Sequence, residues 1–587
     1  MRFKIATVSI RDYRKLLTLL LWRPTLNSAI SSTKKNWLNV TFLFTNPLLW
    51  FGLFFVIIIA LLSIRVVMPI GPMYWDTYIY LDAAQRINSG QIPSVDFSAP
   101  AGPLGYYLFT WGLNLFSNAQ PLLLAQWSIL TVAAPLMAVV VADVARKSRS
   151  TAFALLIPFI IFAVSPANAQ LETSFPGFDG FGIYNRQACI LLYVLTCGLI
   201  FMKNGRKLAL FCAATMLCLF LTKVTGFLVG GLLGLAALLA GRISIANVVI
   251  ATLAALGILA ALEINNHMIS AYIASICQLI ALNEAALLPR FLTVVSGKLD
   301  VILPAGILVL MLFWLETCSK VPAKRFFDRS SIWLAIAVAG GIFFETQNTG
   351  SQEFIFLWPI LLMIWQRFEP VDNNRIKMAV LILTAFIAIP TITKVGHKVL
   401  RAIAVSPTYV QPPVTELKNM GQVSTRPDMM ERAKLLPQHY ADHLAPYEAL
   451  AEQGQLPSWR LYSELDYQIY WLLSVDEAVS ALKKFEADNN IHLGTLMALD
   501  FTDPFPWLLN RQATRGIQIG ADPFRTIGTI TPDTKSAIEA TDGVLRPKCP
   551  ATTSRIALQN IYADATQDRR VVALNPCWDL LLRKDIQ

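Results

Sequence analysis

Charge is scarce in this chain. Asp, Glu, Lys and Arg make up 15% of its 587 residues, against about 25% in an average soluble domain, while 55% are hydrophobic and the mean hydropathy is +0.51. That balance excludes a wholly water-soluble fold and fits a polytopic membrane protein. Nucleotide-binding signatures are missing too. There is no G-x-x-x-x-G-K-[ST] loop, no G-x-G-x-x-G between a strand and a helix, and no D-x-D pair in a polar loop, which argues against cytosolic nucleotide chemistry. Histidine is rare. The pair His439 and His443 lacks the glutamate of a zinc H-E-x-x-H motif, so it reads as a solvated helix face and no metal is assigned. Of eight cysteines, Cys189, Cys197, Cys212, Cys218, Cys277 and Cys318 lie in or beside apolar segments, as small buried residues do. Only Cys549 and Cys577 stand in polar sequence. No internal repeat and no low-complexity tract is present.

The cations that do occur are grouped. The net charge of +11 comes from Lys and Arg in short loops between apolar runs, which is the positive-inside pattern and not a nucleic-acid footprint. Residues 1–46 carry eight of them, predicting a basic cytoplasmic arm and no cleavable signal peptide. The apolar runs then predict about eleven crossings: 47–70, 120–144, 151–165, 188–202, 208–221, 224–239, 244–262, 301–315, 332–344, 354–365 and 378–392. Residues 103–116 are too few to span, and 263–300 have the periodicity of amphipathic helices lying on the interface. The fold expected is mostly α: a transmembrane module over 47–394 with its first outer loop at 71–119, then a polar α/β domain over 395–587. Helical patterns at 475–488 and 554–567 alternate there with strand-like runs at 492–499, 571–574 and 578–582. Counting crossings from a cytoplasmic N-terminus in a bacterial inner membrane puts this last domain in the periplasm. An oxidising compartment then favours a Cys549–Cys577 disulfide.

The polar first outer loop holds the carboxylates best placed for chemistry. Asp76, Asp82 and Asp96 must sit at or beyond the membrane boundary, because a carboxylate at the bilayer centre costs about 2.5–3.5 kcal/mol on insertion scales. Trp75-Asp76-Thr77-Tyr78 opens a helix and is followed by Ala83-Ala84-Gln85-Arg86-Ile87, Gly90, Pro93, Asp96 and the turn Pro103-Leu104-Gly105-Tyr106-Tyr107. This pattern resembles the first outer loop of GT-C glycosyltransferases, which include protein O-mannosyltransferases and lipid A aminoarabinose transferases. The tail segments Asp500-Phe501-Thr502-Asp503-Pro504-Phe505-Pro506 and Val544-Leu545-Arg546-Pro547-Lys548 resemble a rhizobial-type bacterial subgroup. The family's early loop aspartate is catalytic, and the match falls on Asp76; the glutamate that often follows it is replaced by Thr77.

The resemblance implies a polyprenyl-phosphate sugar donor, an acceptor that is a lipid, glycan or protein, and surrounding membrane lipids as partners. Transfer needs a carboxylate to take the acceptor's proton and cations to hold the departing phosphate. Asp76 is the candidate base, and Arg186 and Lys223, isolated cations on the outer side, are candidates for the phosphate. Asp96, Asp179 and Tyr106 are candidates for binding acceptor or sugar. Glu345 and Glu353 flank a further outer loop, without a specific pattern. Asp82, six residues after Asp76 on a helix, points elsewhere and reads as solvated or capping. The rival enzyme readings are a glycan polymerase or ligase. A transporter or flippase of lipid-linked glycans is a rival of another class; it would carry broken helices in matching halves, and no such halves occur.

Overall fold

The structure, a computed structural model, describes residues 45–169, 175–318, 325–347, 350–368 and 373–586. The expected basic arm lies outside the described residues save for its last two. So do residues 170–174 of the second outer loop, Lys320 and Lys324, and residues 348–349 of the loop between Glu345 and Glu353.

The first two thirds are helical: α1 (Pro47–Ser63), a short strand β1 (Met68–Pro69), α2 (Asp76–Asn88), α3 (Pro103–Leu115), α4 (Pro121–Trp127), α5 (Leu130–Ala145), α6 (Arg149–Val164), α7 (Ile183–Phe201), α8 (Arg206–Thr222), α9 (Val224–Leu239), α10 (Ile245–Asn266), α11 (Met268–Asn283), α12 (Leu287–Gly297), α13 (Leu299–Cys318), α14 (Ser330–Gln347), α15 (Trp358–Phe368) and α16 (Asn374–Val405). Several starts are fixed by side-chain caps. The Asn46 amide oxygen accepts from Leu48 N at 3.0 Å with Pro47 in the first turn, and Asn373 and Ser244 do the same for α16 and α10.

Among the described residues six helical stretches are long and apolar enough to cross a membrane: Pro121–Ala145, Ile183–Phe201, Ile245–Asn266, Met268–Gly297, Leu299–Cys318 and Asn374–Thr408; five shorter apolar helices accompany them. Each of the eleven expected spans falls on a helix. Burial separates centre from periphery. The apolar window of Ile183–Phe201 is 94% buried, which makes α7 the axis of the bundle, whereas those of Ile245–Asn266 and Met268–Gly297 are 6% buried and present leucines and isoleucines outward, as lipid-facing helices do. Met268–Gly297 covers the stretch for which the sequence predicts interfacial helices, and by length and composition it joins the candidate spans.

Two expected boundaries move. The span 47–70 is helical only to Ser63, because beyond it the main chain pairs with the tail: β1 runs parallel to β2 (Val423–Ser424), with Met68 N donating to Gln422 O at 3.2 Å and Ile70 N to Ser424 O at 2.9 Å. Phe178 closes on the other side, where Gly71 N donates to its carbonyl at 2.8 Å. A Cβ on Gly71 would stand 2.7 Å from that main chain, so the close approach requires glycine. At the other end α16 runs through residue 394 to Val405, so the tail begins later than the sequence predicts.

The tail builds α17 (Pro427–Asp442), α18 (Leu444–Glu452), α19 (Ser458–Leu461), α20 (Leu465–Asn489), β3 (Thr495–Ala498), α21 (Phe505–Leu509), β4 (Gln512–Ala513), α22 (Pro532–Ala540), β5 (Gly543–Pro547), α23 (Thr553–Ile561), α24 (Ala563–Thr566), β6 (Arg570–Asn575) and β7 (Trp578–Leu582). Its five strands form one mixed sheet in the order β4-β3-β5-β7-β6, parallel around β3 and antiparallel from β5 to β6. Cys549 and Cys577 form a disulfide beside the β5–β7 pair. α20 joins sheet to loop: Tyr78 of α2 stacks on Trp471 at 5.4 Å, and Gln468 accepts from Tyr74 N at 2.8 Å while donating to Gly71 O at 2.9 Å.

Candidate active site

Asp76 is the first residue of α2, where a helix favours negative charge. It is 8% exposed, and its Oδ2 accepts from Gly182 N at 3.1 Å. Gly182 itself is left-handed, at φ +66°, and a Cβ there would run into the Gly350 carbonyl. The turn that aims this N–H at Asp76 therefore needs glycine. Burial pushes the Asp76 carboxyl up to about 7, opposed by the Gly182 N–H, by Arg186, by Trp75 and by Arg525.

Two cavities meet at this carboxylate. One, of ≈ 440 Å³, is walled by the start of α9 and by α11: Lys223, Val224, Leu228, Tyr272, Ile276, Leu279 and Ile280, with Phe343. The other, of ≈ 590 Å³, lies against the tail and is lined by Met73, Trp75, Ser458, Tyr462, Asp500, Ser554 and Arg555. Asp76, Phe181, Arg290, Phe501, Asp522 and Arg525 line both. Both are lined mainly by apolar surface; the first opens among membrane helices, while the tail walls the second and brings Asp500 and Arg555 to it.

The other predicted residues scatter. Lys223 lines the first cavity, donating to Asn185 Oδ1 and lying 4.3 Å over the Phe344 ring. Arg186 and Asp179 come together instead of facing a substrate. They form a fully buried ion pair at 3.1 Å, with Arg186 Nε also donating to Gln126 at 2.8 Å and Asn168 donating to Asp179 at 2.6 Å. Neither lines a cavity at Asp76. Tyr106 is buried against the Tyr80 ring at 5.1 Å. Asp96 stands in a separate cavity, paired with Arg515 at 3.1 Å and accepting from Ile92 N at 2.7 Å. Asp82 is not solvated. It is buried and holds Arg86 at 2.7 Å, and Arg86 in turn donates to Thr514 O of the tail at 2.5 Å.

Arg290 and Arg525 are the cations that border both cavities, and neither was singled out from the sequence. Arg290 had a signal: it is a lone charge in an apolar run, by the same reasoning that selected Lys223. Arg525 had none, since only the fold carries the tail segment 520–528 up to the first loop. Asp500 of the DFTDPFP segment is an anchor, accepting from Arg555 at 2.6 Å, Tyr462 at 2.9 Å and Trp471 at 3.1 Å. Among the described residues no group of three or more His, Cys, Asp or Glu is placed to hold a metal ion.

Fold and site thus define a bundle of apolar helices whose first loop is sealed by a mixed α/β tail, with the buried carboxylate of Asp76 between a cavity walled by those helices and one walled by the tail. Two solved structures are similar to this chain: ArnT from Cupriavidus metallidurans in the apo state, at 13% identity and a TM-score of 0.40, and ArnT from Cupriavidus metallidurans bound to undecaprenyl phosphate, at 14% and 0.42. Each match covers 91% of this chain and 98% of the other. No family model and no curated protein matches.

Proposed function

We propose that the chain is an integral-membrane glycosyltransferase of GT-C type that moves a sugar from a polyprenyl-phosphate donor to an acceptor hydroxyl at the outer face of a bacterial inner membrane. The observation that carries this reading is the position of Asp76 where a cavity walled by membrane helices meets one walled by the tail, to which Asp500 and Arg555 add charge. A lipid-linked donor needs the first for its chain and the second for its head group and acceptor. Asp76, as general base, takes the proton of the acceptor hydroxyl. The acceptor oxygen bonds to the anomeric carbon, and the bond from that carbon to phosphate oxygen breaks, leaving the electron pair on the polyprenyl phosphate. Arg290 and Arg525 hold the charge that develops there, with Lys223 farther along the apolar wall.

The test is to purify the protein in mild detergent, extract the lipid it retains, and weigh it by mass spectrometry. A polyprenyl phosphate sugar is expected. Recovery of phospholipid alone from protein that still binds no added polyprenyl phosphate sugar would overturn the donor assignment.

A further inference from the structure

A third cavity, of ≈ 400 Å³, lies away from Asp76 where the first loop, α11 and the tail meet. Its volume is that of a small-molecule site, about 300–1,000 Å³. The floor is built from main chain already paired: Ser98 N donates to Ile517 O and Ile519 N to Ser98 O, both at 2.9 Å, and Gly516 N to Asp96 O at 2.6 Å. A peptide adding as a strand finds no free ladder there. The charges also point one way. Asp96 and Arg515 neutralise each other at 3.1 Å, and what is left over is the acidic Asp533, so an anion is disfavoured.

What the walls offer is neutral hydrogen bonding. Gln278 of α11 and Thr529 of the tail face the cavity, both exposed, and neither side chain makes a hydrogen bond among the described residues. An amide that donates and accepts beside a hydroxyl matches the vicinal hydroxyls of a sugar. Thr526 lines this cavity and also the one walled by membrane helices, so the segment Gly520 to Gly528 is the partition: Asp522 and Arg525 face Asp76, while Thr526 to Thr531 face the third cavity.

We propose that this cavity is a subsite for a neutral glycan, held by Gln278 and Thr529 and reaching past Thr526 toward Asp76. Calling that glycan the acceptor rests on the proposed transfer reaction; its binding does not.

The experiment uses the full chain in lipid nanodiscs on an array of neutral and acidic oligosaccharides. Retention on neutral glycans is expected, weakened about tenfold by Gln278→Ala and by Thr529→Val, the loss of one or two hydrogen bonds. Gly528→Val should do the same, because a Cβ on Gly528 collides with the Gln278 amide and pushes it aside. Gln278 and Thr529 are exposed, so their variants fold. Retention of no neutral glycan, retention that all three variants leave unchanged, or retention of acidic glycans alone that Arg515→Ala abolishes would each overturn the subsite. The lipid extracted from the same preparation separates the two readings. Donor lipid without glycan retention sinks the subsite only, whereas glycan retention without donor lipid sinks the transfer reaction and leaves the subsite standing.

Discussion

Asp76 and Asp82 are carboxylates of one helix, six residues apart and both buried, and they differ in what they face. Asp82 has the Arg86 guanidinium at 2.7 Å; Asp76 has the Gly182 N–H, the Trp75 side chain and, farther off, Arg186 and Arg525. Burial raises the carboxyls of both, opposed at Asp82 by Arg86, and Asp76 keeps its proton up to about pH 7 in the folded chain, while the unfolded chain releases it near 3.8. Between those values the folded state binds more protons than the unfolded one, so the stability contributed here falls as pH rises through that window. Activity runs the other way, since the base is the ionised form. Turnover of the purified protein should climb with pH to a midpoint near 7, and Asp76→Asn should lower it about 100- to 10,000-fold while melting at a higher temperature than the parent at pH 8. A variant with parental turnover would remove Asp76 from the mechanism. The cations separate in the same manner. Arg525→Ala and Arg290→Ala should each lower kcat/KM for the donor about 10- to 100-fold, the worth of a charged hydrogen bond to phosphate. Arg186→Ala leaves Asp179 buried without its counter-ion and should destabilise the fold by about 3–5 kcal/mol. Thermal unfolding beside donor kinetics tells the two effects apart; unchanged donor kinetics in both Arg525→Ala and Arg290→Ala would leave the phosphate unassigned.

At the scale of elements, the start of α7 is what holds Asp76 in place, through the left-handed Gly182. Gly182→Ala forces a side chain into that conformation, at about 1–2 kcal/mol, and against the Gly350 carbonyl as well. It should lower both the melting temperature and turnover; a variant that melts and turns over like the parent would show that the turn is not constrained. Elements whose cause is local were legible in the sequence. The β-branched and apolar run 571–574 and the run 578–582 became β6 and β7, and apolar stretches such as 120–144 and 188–202 became α4 with α5 and α7. What escaped depends on distant partners. Residues 68–70 read as the end of a span, yet they leave the helix to pair with Val423 and Ser424. Arg186 and Lys223 looked alike as isolated outer cations, and only packing shows that Arg186 is consumed by Asp179 whereas Lys223 faces a cavity. Asp96, a candidate for binding acceptor or sugar in the same loop as Asp76, is carried by the turn after Pro93 to Arg515 and into the third cavity.

For the whole molecule, the Lys and Arg bias of the short loops predicts a tail on the outer side. Alkaline phosphatase fused after Asp533 should be active in cells, and an inactive fusion at normal expression would invert the proposed orientation. The tail is part of the site on either side of the membrane. Phe501, Asp522 and Arg525 wall the cavities at Asp76, and the strand that closes the first loop comes from Val423–Ser424. These partners are made late. About 450 residues separate Asp76 from Arg525, which at ribosomal speeds of about 5–20 residues per second is a wait of roughly 20 to 90 s. Throughout that interval the nascent chain has Asp76 and Arg290 but not Arg525, the second arginine that walls both cavities. Under the proposed mechanism a chain interrupted before Arg525 is threaded into the bilayer yet chemically silent, so that abandoned translation leaves no half-competent transferase behind.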